Sequence, residues 1–433
     1  MEPEDTPALL SPTGVFADNT DTSAEVVSAT ETVYRNGLPP IQSYADIPSF
    51  GHKKACALEG IAHAITLPKE EDVSVGTPGC QRCEVLPLPI TDQPGILTLR
   101  FPHTHTLGKI LEFLAGSAYR YEEHDGNLRI HVQAGGIIPL MTPVLERLSS
   151  AEQRDTRAYF QPDRYQRSLN YTASHFEIKS LPDFANRLSN EWLLRLLREE
   201  RFYSVFQPIL DGNTAKVFGY ECLLRGRGEK GLTVPPDLML KIAHSADLLF
   251  QFDLAARRTA IQSAAEHGIA QDHKIFINFV PSAIYNPKTC LDSTVRLVDE
   301  LGIKRSQVVF EIIESERLPE LPHLRRIVDY YRAQGFGVAL DDVGAGFSSL
   351  SALAALRPDY VKIDRSLLQG VHKDTGRAII ARKLLEIVQE LEILSVAEGI
   401  ETEEEFAWAK EHGADYVQGY LFARPAKVPP LRG

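Results

Sequence analysis

The sequence predicts an α/β protein. A TIM-like barrel of eight strands, one of them antiparallel, occupies residues 202–433, and a smaller α+β module precedes it. Three observations carry this prediction. From residue 202 onward, short apolar runs alternate with amphipathic helical patterns at regular spacing. The first two runs flank Asp211-Gly-Asn213, a tight hairpin signal that makes that pair antiparallel. Acidic and amide side chains stand at the ends of the runs, where a parallel barrel gathers its chemistry.

Residues 1–48 are rich in Thr, Ser, Ala, Asp, Glu and Pro without periodicity and are expected to form a flexible arm. Residues 49–150 are read as the α+β module. Ile96–Phe101 and Leu128–Val132 are its strands, the second following an Asp125-Gly-Asn127 turn; Leu107–Leu114 and Ile138–Leu148 are its helices. Residues 151–201 read as a connector ending in an apolar stripe of Leu188, Trp192, Leu193, Leu196 and Leu197. A dimer-forming signalling helix and a plain packed connector both fit that stripe. The barrel strands are expected at Tyr203–Leu210, Lys216–Leu224, Lys274–Val280, Val308–Ile313, Gly337–Asp342, Tyr360–Asp364, Leu394–Gly399 and Tyr416–Leu421. Helical patterns at Asp253–His267, Leu321–Gln334, Gly376–Leu391 and Thr402–His412 intervene.

With 433 residues, 43% of them hydrophobic and 24% charged, the chain can build more than one core. A net charge of -12 argues against polymeric nucleic acid or an anionic membrane surface as a partner. No run approaches a membrane span, the first residues lack a leader pattern, and five cysteines without framework spacing fit a reducing compartment. The expectation is a cytoplasmic protein.

The most informative stretch is Gly337-Val-Ala-Leu-Asp341-Asp342-Val-Gly344-Ala-Gly346, an apolar run that ends in two carboxylates and a glycine-rich turn. Neighbours on a strand point to opposite faces, so the pair suits two different cations once the turn bends the second acid round. Two divalent ions about 4 Å apart are a common device for cutting a phosphodiester. An acidic loop capping the next helix is the plainer reading of such a pair taken alone. Four more strand ends supply polar groups inside apolar runs: Glu221, Asn278, Glu311 and Glu398. Burying any of them alone would be costly, and a shared cation relieves the cost for all. An all-oxygen set points to Mg²⁺ or Mn²⁺ rather than zinc.

Together these motifs resemble the EAL-type cyclic-di-GMP phosphodiesterase domain, from Phe206-Gln-Pro-Ile209 to Gln418-Gly-Tyr420 and Pro425. The Glu-Ala-Leu signature stands here as Glu221-Cys222-Leu223. The resemblance implies two ions: Glu221, Asn278, Glu311 and Asp341 hold one, while Asp341, Asp342 and Glu398 hold or border the other. It gives Lys362, with Asp364 at the helper position, the orientation of the attacking water, and Glu398 assistance in removing its proton. Gln207, Leu223, Arg225 and Gln418 match ligand-contacting positions; Arg225 offers a planar fork suited to phosphate. Glu314 matches a glutamate that braces the loop after Asp342. The implied reaction is hydrolysis of cyclic-di-GMP to linear pGpG, in a homodimer paired through the barrel and regulated by the N-terminal module. The alternative is a catalytically silent receptor for the same dinucleotide.

Three positions depart from the family pattern: Cys222 for Ala, Val343 for Phe and Ile313 for Thr. None removes a proposed ligand. In the N-terminal module, Cys80-Gln-Arg-Cys83 has the spacing of a zinc knuckle, and Cys56 with His52 or His63 could complete a tetrahedral site. Reactive thiols and ordinary packed cysteines fit these residues as well, and His103 and His105 read as exposed strand-end residues.

Overall fold

In the computed structural model, residues 86–87, 89–163, 178–312, 321–345 and 349–431 are described. The N-terminal module contributes β1 (Gly95–Arg100), β2 (Tyr121–His124), β3 (Asn127–Val132), β4 (Arg157–Pro162) and β5 (Lys179–Ser180), in the sheet order β2-β3-β1-β4-β5. All four pairings are antiparallel. Helix Thr104–Ala115 joins β1 to β2, and helices Ile137–Arg147 and Ser150–Asp155 lead from β3 to β4. That order and connectivity define a split βαβ unit. Its core is one apolar cluster in which Leu97, Leu99, Ile130 and Phe160 of the strands meet Ile110, Leu114, Leu140 and Val144 of the helices.

The sheet therefore runs past residue 150, the module boundary read from sequence. β4 escaped notice because its outward positions, Arg157, Tyr159 and Gln161, are polar or amphipathic, while two of its inward residues are Ala158 and Pro162, poor strand formers. The Leu188–Leu197 stripe is two helices, Leu181–Ser189 and Glu191–Arg198, that meet at Asn190. Leu181, Phe184 and Leu188 join the module core, whereas Leu193, Leu194, Leu196 and Leu197 join the barrel core. Both apolar faces are buried within the chain, one in each core. Glu191 fastens the junction, its buried carboxylate accepting from the Ile90 and Thr91 amides and the Thr91 hydroxyl.

The barrel consists of β6 (Phe202–Asp211), β7 (Val217–Arg227), β9 (Lys274–Phe279), β10 (Val308–Ile312), β11 (Gly337–Val343), β12 (Tyr360–Ile363), β13 (Leu394–Ala397) and β14 (Tyr416–Val417), with β8 (Thr233–Val234) extending β7. β6 is antiparallel to both of its neighbours, β7 and β14, and closes the ring. The remaining barrel neighbours run parallel. The last strand is shorter than expected because the chain turns at Gly419, where a Cβ would lie 1.9 Å from the Ile400 carbonyl oxygen.

One end of the barrel interior is closed by an apolar layer of Ile209, Phe276, Val309, Ala339, Tyr360 and Val396, with Phe218 and Tyr416 packed against it. Strand side chains repeat every two residues on one face. The next interior layer therefore follows two positions along five of these strands, at Asn278, Glu311, Asp341, Lys362 and Glu398. The same step from Tyr416 reaches Gln418. On reversed β6 it runs backward, from Ile209 to Gln207, the register partner of Glu221. The apolar plug excludes water from below, and the polar layer rests on it.

Outside the barrel, helix Leu249–Glu266 carries a buried ion pair. Arg257 Nε and Nη2 lie 2.9 and 2.8 Å from Asp253 Oδ2, and Arg257 also donates to the Thr294 hydroxyl. Asp253 Oδ1 accepts from the Val280 amide at 2.8 Å, fixing the chain just beyond Asn278. Asp253→Ala is expected to destabilise the fold by about 3–5 kcal/mol, because it strands a buried guanidinium. Equilibrium urea unfolding checks this expectation.

Candidate metal centre

Lys362 organises the site. Its Nζ lies 2.8 Å from Glu398 Oε1, 2.9 Å from Glu311 Oε1, 3.1 Å from Asp341 Oδ1 and 3.5 Å from Glu221 Oε1. The lysine and Glu311 side chains are 1% and 0% exposed. Glu221 is held from two sides: Asn278 Nδ2 donates to Oε1 at 3.2 Å, and Gln418 Nε2 to Oε2 at 2.7 Å. These contacts unite groups from β7, β9, β10, β11, β12 and the turns after β13 and β14.

Carboxylate oxygens converge in two groups, one from Glu221, Glu311 and Asp341, the other from Asp341, Asp342 and Glu398, each with its ligand atoms within 4.8 Å of one another. Asp341 belongs to both. Its neighbour joins the second group through a local break in the strand. The register with β12 shifts between Leu340 and Val343, and Asp342 adopts φ 55°, a left-handed conformation. Gly344, at φ 108°, continues the turn in the space beside Leu367. The bulge brings Asp342 to the side of Asp341 and Glu398, where an unbroken strand would point it the other way.

Electrostatics favours cations here. Burial holds Glu311 and Glu398 well above the ordinary carboxylate range despite the nearby Lys362 ammonium, and neighbouring carboxylates add to the shift. Asp341 is raised for the same reasons. Asp342 is pushed up to about 6 by burial, then by Asp341 and Asp364. Burial opposes the charge on Lys362, but Asp341, Glu221, Glu311 and Glu398 outweigh it and hold the ammonium well above its usual range. One ammonium thus faces five carboxylates, and Glu311 Oε2 finds no hydrogen-bond donor among the described residues. Hard oxygen donors in excess of buried positive charge, with a lone pair left over, fit Mg²⁺ or Mn²⁺.

The remaining sequence-predicted positions surround this core. Gln207 is buried opposite Glu221. Leu223 and Arg225 lie farther along the same face of β7 and are partly exposed. Asp364 caps helix Arg365–Leu368 by accepting from Ser366, and its amide donates to the Val343 carbonyl at 3.1 Å. Val343 is fully buried in the barrel core. Cys222 is buried and its thiol is pushed up by burial and then by Glu221 and Glu311, which disfavours a reactive thiolate. Glu314, Ile313, Gly346, His52, Cys56, His63, Cys80 and Cys83 lie outside the described residues. Sequence reasoning missed two bracing acids. Asp253 is signalled only by Arg257 four residues on. Glu405 forms a capping box with Thr402 and accepts from the Gly370 and Glu401 amides at 2.7 and 2.9 Å, steadying the turn that carries Glu398.

A barrel with one reversed strand, an apolar plug and a carboxylate-lysine layer at its strand ends defines the class: the chain belongs to the EAL domain family, which matches residues 190–425. Among curated relatives, it is similar to the probable cyclic di-GMP phosphodiesterase PdeN of Escherichia coli, with 30% identity over 239 residues, or 54% of this chain and 45% of that protein. The cyclic di-GMP phosphodiesterase PdeL of the same organism is 28% identical over 234 residues, or 53% of this chain and 64% of that protein. The chain thus spans about half the length of the curated relatives it matches. The solved FimX EAL domain from Pseudomonas aeruginosa bound to c-di-GMP shares the barrel fold, at 24% identity and a TM-score of 0.51, covering 55% of this chain and 96% of that one.

Proposed function

We propose that residues 202–433 hydrolyse cyclic-di-GMP to linear pGpG at two Mg²⁺ or Mn²⁺ ions, under regulation by the preceding module. The observation that carries this reading is Asp341, common to two converging carboxylate groups, with Lys362 between them. Glu221, Asn278, Glu311 and Asp341 would hold one ion; Asp341, Asp342 and Glu398 would hold the other. Such ions supply a lowered water pKa and neutralise charge developing on the phosphoryl oxygens.

The chain's own groups do the rest. Lys362 and Asp364 orient the attacking water, and Glu398 assists in taking its proton. Arg225 faces a substrate phosphate, while Gln207, Leu223 and Gln418 line the dinucleotide. Glu314 is assigned to bracing the loop after Asp342, and a zinc site at Cys56, Cys80, Cys83 and His52 remains a proposal for the N-terminal region. No helix among the described residues is long and apolar enough to cross a membrane, and we place the protein in the cytoplasm. Pairing of two copies through the barrel would cover Ile379, Ile380 and Ile387, which helix Thr375–Glu390 leaves exposed. Light scattering of the full chain tests that pairing.

The activity is tested by incubating the chain with cyclic-di-GMP and Mg²⁺ or Mn²⁺ and separating the products. Linear pGpG is expected; tight binding without cleavage would make the protein a receptor instead. A second expectation concerns pH. Raised carboxyls bind protons in the folded chain that the unfolded chain has already released, so metal-free stability falls as pH rises from the ordinary carboxylate range through about 6. Mn²⁺ should raise the melting temperature more at about pH 8 than at about pH 5, because protons compete for the same oxygens. Calorimetry of EDTA-treated chain with and without Mn²⁺ checks both signs.

A further inference from the structure

A cavity of about 570 Å³ lies outside the barrel, between β6 and helix Leu249–Glu266. The returning C-terminal segment, paired to β6 through Phe206 and Ala426, supplies one wall; Leu86, Leu197 and Glu200 from the junction with the N-terminal module supply another. Its volume is in the range of small-molecule sites, which favour such junctions.

Two observations indicate what it would hold. Ser204 lines the cavity, is 4% exposed, and its hydroxyl has no hydrogen-bond partner among the described residues. A buried hydroxyl left unpaired is costly unless something arrives to meet it. Arg227, Arg258 and Lys427 also line the cavity, against the carboxylates of Glu200 and Glu266, in a chain whose net charge is -12. Arg227 and Lys427 both sit over the Tyr203 ring, 5.3 and 4.7 Å from its centroid, which restrains two of the cations near the opening. Arg258 is 3.8 Å from Glu200 across a half-exposed gap, a contact weak enough to yield to a better anion.

We infer that this cavity binds a small phosphate ester, with the phosphate at Arg227, Arg258 and Lys427 and the body reaching toward Ser204. The site is separate from the metal centre. None of Glu221, Asn278, Glu311, Asp341, Asp342, Lys362 and Glu398 lines the cavity. Binding there needs no divalent ion and stands whether or not the chain cleaves cyclic-di-GMP.

Isothermal titration of the full chain in EDTA tests this, with 5′-GMP as the nucleoside-sized ester and guanosine and inorganic phosphate alongside. One saturable GMP site per chain is expected, with weaker phosphate binding and none for guanosine. Ser204→Val, which removes a hydrogen bond to the body of the ester, and separately Lys427→Ala at the accessible rim, which removes a contact to its phosphate, should each weaken GMP by about tenfold. Glu221→Ala should leave it unchanged. The proposal is overturned if GMP does not saturate, if guanosine binds as well as GMP, if Lys427→Ala and Ser204→Val leave affinity intact, or if Glu221→Ala abolishes binding.

Discussion

Replacing Lys362 with methionine is expected to destabilise the metal-free chain by about 3–5 kcal/mol and to slow turnover by about a thousandfold. The lysine is the sole cation within ion-pair distance of Glu221, Glu311, Asp341 and Glu398 among the described residues. Methionine fills similar volume, so the loss is electrostatic rather than a cavity. The carboxylates left behind would take up protons, which makes the destabilisation smaller in acid and larger above neutrality. Urea unfolding across pH measures the first effect, and product formation with saturating Mn²⁺ measures the second. A variant equally stable at every pH would show that the lysine does not hold the acids in place.

Asp341→Asn is expected to separate activity from stability. Turnover should fall by about a thousandfold or more, because the substitution removes the one carboxylate common to both oxygen groups. The metal-free fold should be unchanged or slightly firmer. Asparagine can still accept from Lys362, while one buried negative charge disappears from a cluster that has too many. The melting-temperature gain on adding Mn²⁺ should shrink sharply. Lys362 and Asp341 touch each other, yet their replacements move metal-free stability in different directions, a pattern that general damage to the barrel would not produce.

Much of this site can be read in the sequence because a barrel turns linear spacing into depth. A charged or amide residue two positions beyond an interior apolar one must sit in the next layer, and Asn278, Glu311, Lys362 and Glu398 all obey that rule. Asp342 does not. Its entry depends on a bulge and a left-handed φ that neighbouring residues and packing decide together, although the adjacent glycines hint at a bend. β4 stayed hidden because alanine and proline carry its buried face, and β2 because its residues after Tyr121 are exposed and polar. The break at Asn190 has no strong local signal, since the apolar stripe continues across it while the partners change from module to barrel. Asp253 looks like half of an ordinary surface pair at helical spacing; only the packing of its helix on the barrel shows that both charges are buried.

Counting bound Mn²⁺ by calorimetric titration tests directly the assignment of Asp341 to two ions at once. The wild-type chain should bind two per protein, Asp342→Ala should keep the one held with Glu221, and Asp341→Asn should weaken both. A single ion in the wild type, or two ions undisturbed by Asp341→Asn, would contradict it.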